Sequence, residues 1–320
     1  MAAQDVTTGA GTPTALAGGG IRSVARWLVG PAVEPVSAGQ GVAMTFVRLL
    51  VGVMWLYNVA WKVPPSFGES DKGGLFAFTS YAVSNPVFPP YSWVVEHLVL
   101  PHFVPFGWGV VVAETVLAVL LLSGSYIRVA AAVGVVQAGA IGLSVARAPG
   151  EWPWSYILMA AVHLLILFGG AGRYLAVDAV RARLARGVAL GRFWGGLSTL
   201  MGLTAIAISS FGAPFGPSGV NLQLPGLEFG LGTYNVGAGI ALLVAGVALL
   251  AWSFGVSRRW LLGAAAAITV LAALVTRVQI GFSPPVLGAD GTSVAFFFTM
   301  AVVAIALSRA PRPGTRDAPG

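Results

Sequence analysis

Long apolar stretches alternate with short polar segments along most of this chain, and their lengths are typical of membrane-spanning helices. A helix needs about 17 to 25 predominantly apolar residues to cross the hydrocarbon layer of a bilayer. Eight stretches meet that requirement, at residues 42–61, 104–123, 127–146, 153–170, 192–211, 234–254, 259–278 and 292–308. The pattern therefore predicts an all-α polytopic membrane protein with eight transmembrane helices.

Composition supports this class of protein. Only 9% of the residues are charged and 57% are apolar, whereas a soluble domain carries roughly 25% charged residues. The net charge of +7 resembles that of nucleic-acid-binding proteins, but arginines facing anionic lipid headgroups explain it without such a partner. We therefore expect a lipid bilayer as the partner and no nucleic acid.

The distribution of basic residues predicts the orientation of the chain. With both termini in the cytoplasm, four basic residues fall outside or near an outer helix end: Lys62, Lys72, Arg147 and Arg277. The cytoplasmic segments then hold Arg22, Arg26, Arg128, Arg173, Arg181, Arg183, Arg186, Arg192, Arg258, Arg259, Arg309, Arg312 and Arg316. The positive-inside rule favours this arrangement, and we expect a multi-pass protein of the cytoplasmic (inner) membrane of a bacterium or archaeon.

The spans divide into two groups of four, and we predict two four-helix bundles. The predicted segments are a disordered tail and interfacial amphipathic segment at 1–40, a membrane domain at 41–178, a basic linker at 179–191, a second membrane domain at 192–309 and a tail at 310–320. Small residues let membrane helices approach closely. We expect the second bundle to be separate, to hold no redox centre and to pack through Gly195, Gly196, Gly202, Gly237, Gly239 and Gly263.

Two segments outside the spans have patterns of their own. Residues 21–29 combine two arginines with Trp27 and apolar positions, which predicts a short amphipathic helix at the membrane surface. The long outer loop at 62–103 is rich in aromatic residues and proline. Because a free loop of this length is rarely so apolar, we expect short helices at about 74–83 and 90–100 on the outer leaflet.

Candidate chemistry comes from one strongly polar residue in each of the first four spans: Arg48, Glu114, Gln137 and His163. Polar side chains inside a bilayer are costly, so each is a functional-site hypothesis. At 1.5 Å rise per residue, their distances from the inner span ends are roughly 9 Å for Arg48, 13 Å for Glu114, 15 Å for Gln137 and 10 Å for His163. The four residues therefore share one layer of the membrane, and we expect Arg48 and Glu114 to form an ion pair.

Two interpretations of this layer remain open. The pair and the Gln137 amide could simply fix the bundle, as buried ion pairs often do. Alternatively, the layer could bind a quinone headgroup, with Arg48, Gln137 and His163 as hydrogen-bonding groups. Glu114, His163 and Arg48 would then form the catalytic set, because His163 titrates near neutral pH and Glu114 could relay protons.

A second set of residues lies in the outer segments. Lys62, Lys72 and His97 could hold a small anion at the membrane surface, although Lys62 could equally snorkel to the interface. No metal site is expected, because Pro101 interrupts the helical spacing between His97 and His102. The chain has no cysteine, which excludes thiolate and disulfide chemistry by its own residues.

Residues 44–178 resemble the DoxD-like branch of the DoxX superfamily, the membrane subunit of thiosulfate:quinone oxidoreductase. The resemblance rests on the run from Arg48 to Leu56 and on to Lys62, Asn85-Pro86, the run Tyr91 to His97, Phe106-Gly107-Trp108 leading to Glu114, Glu151 to Tyr156, and Gly172-Arg173-Tyr174. It implies a four-helix membrane bundle, association with menaquinone or ubiquinone, and a companion redox subunit. The positions that it marks include Trp154, as a residue beside the quinone, as well as Glu96 and Arg173.

Three functions follow as hypotheses. The first is a quinone-linked oxidoreductase subunit that oxidises thiosulfate or a similar small sulfur anion at the outer face. The second is a non-catalytic membrane subunit or assembly factor of a respiratory complex, because the chain has no dinucleotide or haem-attachment motif. The third is a small-anion transporter, which a weak internal similarity between the two halves favours.

Overall fold

A computed structural model describes residues 20–184, 186–216, 219–223, 230–256, 258–279 and 286–311 of the 320-residue chain. Seven helices in these ranges are long and apolar enough to cross a membrane. The protein is therefore a multi-pass helical membrane protein, as the hydrophobic pattern predicts. The predicted disordered tail at 1–19 and the end of the tail at 312–320 lie outside the described residues.

Over residues 20–184, the first half contains eight α-helices. They are α1 (Ile21–Val29), α2 (Ala38–Ala60), α3 (Gly74–Ser84), α4 (Pro89–Val94), α5 (Phe103–Ser123), α6 (Ile127–Val145), α7 (Trp154–Phe168) and α8 (Val177–Arg181). A π-helical turn at Val95–Val99 and a 3-10 turn at Leu100–His102 join α4 to α5, so the helix is continuous over Pro89–Ser123. We call the end of the molecule where α2 ends and α5 begins the loop end, and the opposite end, at the α5–α6 turn, the turn end.

The second half contains four long helices and a hairpin. Its elements are α9 (Gly187–Ser210), β1 (Val220–Gln223), β2 (Gly230–Tyr234), α10 (Val236–Ser253), α11 (Arg259–Gln279) and α12 (Gly291–Ser308). The two strands pair antiparallel, with Val220 opposite Tyr234. The hydrophobic pattern predicts the helices but not this hairpin, because short strands with Asn221 and Gln223 carry little apolar signal.

Helix α7 is shorter than predicted. The predicted span covers residues 153–170, whereas the helix has 15 residues, which corresponds to about 22 Å at 1.5 Å per residue. Pro153 precedes it, and Gly169 and Gly170 follow it, the latter with a φ of +67°. Glycine adopts this left-handed conformation at no steric cost and ends the helix early.

The helix predicted at 21–29 is present as α1. None of its residues is buried, yet it is attached to the turn end of two longer helices. Trp27 stacks on Phe168 of α7 with ring centroids 5.6 Å apart, and Arg128 of α6 donates to the Trp27 carbonyl at 2.8 Å. The helix therefore lies across the turn end of α6 and α7.

The two short helices predicted in the long loop are also confirmed, as α3 and as α4 with the π-helical turn. The Tyr91 hydroxyl is 2.8 Å from Ser144 Oγ and donates to the Ala140 carbonyl at 3.2 Å. Arg147 donates to the Pro86 carbonyl at 2.8 Å. These bonds fix the loop against the end of α6.

Glycines bring α9 and α10 into close contact. A Cβ atom on Gly202 would lie 2.7 Å from the Gly239 carbonyl oxygen, and one on Gly195 would lie 3.0 Å from that of Gly246. The predicted roles of Gly195, Gly202 and Gly239 are therefore confirmed. Gly196 and Gly263 have open space around them, because they lie on other faces of their helices.

The second half is not a separate bundle, and that prediction is wrong. Helix α12 packs against α2 and α5 as well as against α11, and one cluster of buried apolar residues includes both halves. The Thr292 hydroxyl of α12 donates to the Leu56 carbonyl of α2 at 3.4 Å. The apolar faces of α2 and α12 cover each other, so the halves share one core.

The glycine contact between α9 and α10 can be tested with a matched pair of variants. Gly202→Ala should lower the free energy of unfolding by about 1 to 3 kcal/mol, because the added methyl group forces the helices apart. Gly196→Ala on the same helix should be neutral or should raise it by about 0.5 to 1 kcal/mol, because alanine favours helix. Unfolding of the purified protein in detergent, followed by circular dichroism, measures both. Equal effects of the two variants would contradict the close approach.

Candidate functional site

The structure divides the four predicted polar residues among three places. Arg48 lies near the turn end with Asp178, His163 lies in the middle of the bundle with Trp55, and Glu114 lies toward the loop end with Lys62. Arg48 reaches the last turn of α5, whereas Glu114, earlier on the same helix, reaches the residue that follows the end of α2. The predicted single layer is therefore three separate clusters.

Arg48 is completely buried and donates to backbone carbonyl groups rather than to a carboxylate. Its Nη1 atom donates to Leu121 and, at 3.1 Å, to Leu122, which are carbonyls of the last turn of α5. The remaining donors reach Ala171 at 3.2 Å, Tyr174 at 3.3 Å and Leu175 at 2.8 Å. The guanidinium thus satisfies the carbonyl groups that a helix end leaves without partners.

Asp178 is the complementary group at the same end of the molecule, and sequence reasoning missed it. Its buried carboxylate accepts from the backbone N–H groups of Tyr126 at 3.1 Å and of Ile127 at 3.3 Å, where α6 begins. It also accepts from Arg181 at 2.7 Å. A carboxylate at a helix N-terminus is stabilised by the exposed N–H groups and the helix dipole. Asp178 is the single acidic residue in the basic segment between Arg173 and Arg192. This isolated negative charge is the feature of the sequence that could have indicated its role.

The predicted Arg48–Glu114 pair is wrong. Glu114 instead pairs with Lys62, whose Nζ atom lies 2.8 Å from Glu114 Oε2. The two side chains are only 3% and 1% exposed. Lys62 follows the end of α2 and reaches back along the bundle, which its long flexible side chain allows.

The Lys62 ammonium group has further partners. It donates to the Asn58 carbonyl at 2.7 Å and lies 4.0 Å from the centre of the Trp61 ring. Burial lowers the pKa of Lys62, while the negative charge of Glu114 opposes this shift. The close carboxylate therefore compensates the cost of burying the ammonium charge.

Gln137 connects this pair to the lipid-facing surface of α6. Its side chain lies beside the Glu114 carboxylate and is half-buried. Its neighbours Val133 and Val136 are exposed, the latter by 72%. An amide group beside a buried carboxylate thus lies at the edge of the apolar surface that faces lipid. We call Lys62, Glu114 and Gln137 the buried-pair site.

His163 is a neutral, fully bonded side chain in this structure. The Trp55 indole N–H donates to His163 Nε2 at 3.0 Å, so that nitrogen carries no proton. His163 Nδ1 lies 2.7 Å from the Met159 carbonyl oxygen, which can only accept, so Nδ1 carries the proton. A Cβ atom on Gly134 would collide with the ring, which explains the glycine at that position. The ring links α2 to α7.

The remaining predicted residues lie apart from the buried-pair site. Trp154 is 59% exposed at the start of α7. Lys72 Nζ lies 4.5 Å from the centre of the Phe76 ring, and His97 stacks on Trp93 with centroids 4.9 Å apart. Because Lys62 points to Glu114, these outer cations do not surround a common point. Binding of an anion by Lys62, Lys72 and His97 stays a prediction.

No group of three or more His, Cys, Asp and Glu side chains in the described ranges is placed to hold a metal ion. No family model, curated protein or solved structure matches this chain. The resemblance to DoxD-like proteins therefore stays an expectation from residues 44–178.

A double-mutant cycle tests the buried pair. Lys62→Met alone should lower the free energy of unfolding by about 3 to 5 kcal/mol, because it leaves the Glu114 charge buried without a partner. Lys62→Met combined with Glu114→Leu should recover most of that loss, because it removes both charges together. Unfolding in detergent measures Lys62→Met, Glu114→Leu and the double variant. Additive losses in the double variant would show that the two side chains do not interact.

Proposed function

We propose that this protein is the membrane subunit of a quinone-linked redox complex, and that Glu114 is the residue that exchanges protons with the quinone. The buried-pair site carries this proposal. It combines a carboxylate that can hold a proton with Lys62 and Gln137, two groups that can donate hydrogen bonds. Among the described residues, Arg48 and Asp178 are instead engaged with the backbone at helix ends.

The donor set fits a quinone headgroup. A quinone carbonyl accepts hydrogen bonds, and a bound quinone takes up two electrons and two protons on reduction. The Gln137 amide, beside the Glu114 carboxylate, offers a donor and an acceptor. Because its neighbours Val133 and Val136 face lipid, a lipid-soluble molecule could reach Gln137 sideways from the bilayer. Both menaquinone and ubiquinone carry the required carbonyl groups.

The structure changes the roles that we assign to the other candidates. Arg48 and His163 become positioning residues, because their hydrogen-bonding atoms are already used within the chain. The electrons must then come from a companion subunit, since a chain without cysteine supplies no thiol chemistry of its own. We propose that oxidation of thiosulfate or a similar small sulfur anion takes place on that partner.

One observation favours a second candidate, a non-catalytic membrane subunit or assembly factor. Arg48 and His163 are two of the three predicted catalytic residues, yet both connect elements of the bundle. A protein whose polar residues all fix helices to one another can serve as a scaffold for other subunits. The two candidates differ in whether the buried-pair site binds quinone.

We also propose eight membrane crossings, with both termini in the cytoplasm and the loop end outside. Although α7 has only 15 residues, it runs beside α6 and ends at Phe168, which stacks on Trp27 at the turn end. It therefore returns across the thickness that α6 crosses. Trp152 and Trp154, both exposed at its start, suit the opposite interface.

Because the natural chain has no cysteine, single cysteines can report this topology. A membrane-impermeant maleimide should label Ser70→Cys and Pro149→Cys in intact cells. It should label Leu184→Cys only after permeabilisation, because α7 places residues 149 and 184 on opposite sides. Labelling of the Pro149 and Leu184 variants from the same side would exclude a crossing by α7.

Donor-dependent reduction of a soluble quinone analogue tests the function itself. In membranes with copurifying partners and thiosulfate, sulfite or sulfide, Glu114→Gln should lower kcat by about 10²-fold or more, because it removes a proton-transfer group. Gln137→Leu should instead raise the KM for quinone about tenfold, because one hydrogen bond to the quinone is lost. Thr115→Val, next to Glu114 but bonded to the Val111 carbonyl, is the matched control. If wild-type membranes match a deletion strain and the purified protein carries no quinone, the scaffold candidate replaces this proposal.

A further inference from the structure

Among the described residues, a half-buried cation outside the buried-pair site has no carboxylate partner. Arg277 lies on α11, two residues before the helix ends at Gln279. Its guanidinium carbon lies 4.6 Å from the centre of the Trp108 ring of α5. Because Trp108 is near the start of α5, this contact places Arg277 at the loop end, between the two halves of the molecule.

The buried cations Arg48, Lys62 and Arg128 show what Arg277 lacks. Arg48 is surrounded by carbonyl groups, Lys62 pairs with Glu114, and Arg128 pairs with Glu34. Within the described residues, no carboxylate lies within 4.0 Å of Arg277. Its Nη2 atom is buried and has no hydrogen-bond partner there. A charged nitrogen that protein atoms cover and leave without an acceptor is costly, and a bound ligand would supply the missing acceptor.

The geometry points to an oxyanion site at Arg277, on the loop end of the junction between α5 and α11. A guanidinium presents planar, paired donors that match the oxygens of phosphate or sulfate groups, and it binds them in a bidentate manner. A cation at the end of a spanning helix lies at the level where lipid phosphates and dissolved anions are present. The site therefore takes a tetrahedral oxyanion, either a lipid phosphate or a free anion.

The aromatic neighbours hold the guanidinium in position before a ligand arrives. Trp108 provides the ring that attracts cations most strongly, and Phe67 meets Trp108 edge to face with centroids 5.5 Å apart. Phe67 is itself buried, and a Cβ atom on Gly107 would collide with its ring. A positioned side chain loses less freedom on binding, which favours affinity.

Binding of sulfate to the delipidated full-length protein in detergent tests the inference, with chloride at matched ionic strength as reference. Sulfate should raise the midpoint temperature of unfolding of wild type, and the effect should saturate. The control variant Arg147→Gln should respond in the same way, because Arg147 is an exposed arginine at the same end that donates to the Pro86 carbonyl. In Arg277→Gln the apparent Kd should rise about tenfold or more, because a charge-assisted hydrogen bond is lost. Arg277→Lys should have an intermediate Kd, because lysine keeps the positive charge but lacks the planar, paired donors of the guanidinium.

The source of the oxyanion is decided by a second arm with phosphatidylglycerol in mixed micelles. If sulfate stabilises the protein in an Arg277-dependent manner, the site binds a free anion. If only the lipid does so, the site binds a lipid phosphate. If Arg277→Gln does not fold, Arg277→Lys and Trp108→Phe carry the test, and both should weaken binding. The inference is overturned if neither probe stabilises wild type, or if the Arg277 variants respond as wild type does. None of these outcomes depends on quinone reduction.

Discussion

This structure depends on one constraint: polar groups inside an apolar layer need hydrogen-bond partners. Lipid offers no hydrogen bonds, so every buried donor and acceptor must find its partner within the protein or in a ligand. Arg48 and Asp178 meet this constraint as a complementary couple, one serving carbonyl groups where α5 ends and the other N–H groups where α6 begins. The tight turn between these helices, with Gly124 at a φ of +68°, leaves just those groups without backbone partners. The arginine and the aspartate thereby fix the turn end of the first half.

The same constraint separates structural from chemical residues. A polar side chain whose atoms are all bonded within the chain has little left to offer a substrate, which is the situation of Arg48 and His163. Glu114 differs, because its neighbours are side-chain groups, the Lys62 ammonium and the Gln137 amide, rather than backbone atoms. The buried-pair site is therefore held together by side chains, whereas the Arg48 cluster is held together by backbone groups.

Sequence reasoning located the helices well but not the partners. Apolar length predicts where a helix lies, and helical rise gives the depth of a residue along it. Neither gives the direction in which a side chain points around the helix axis. For that reason Arg48 and Glu114 seemed to share a layer although they face different neighbours, and Lys62 seemed to face water although its flexible chain reaches Glu114. Backbone acceptors such as the Leu175 carbonyl carry no sequence signal at all, since every residue has one.

The position of α12 connects the second half to any chemistry in the first. Gly291 lies beside Val59, where a Cβ atom would approach to 3.1 Å, and Thr292 donates to the Leu56 carbonyl. These contacts fix the last turns of α2, from which Lys62 extends to Glu114. On the opposite side of the junction, Arg277 of α11 lies on Trp108 of α5, the helix that carries Glu114. The second half thus supports both helices of the buried pair. The first half depends on these apolar helices for its structure, and the second half is not an independent domain.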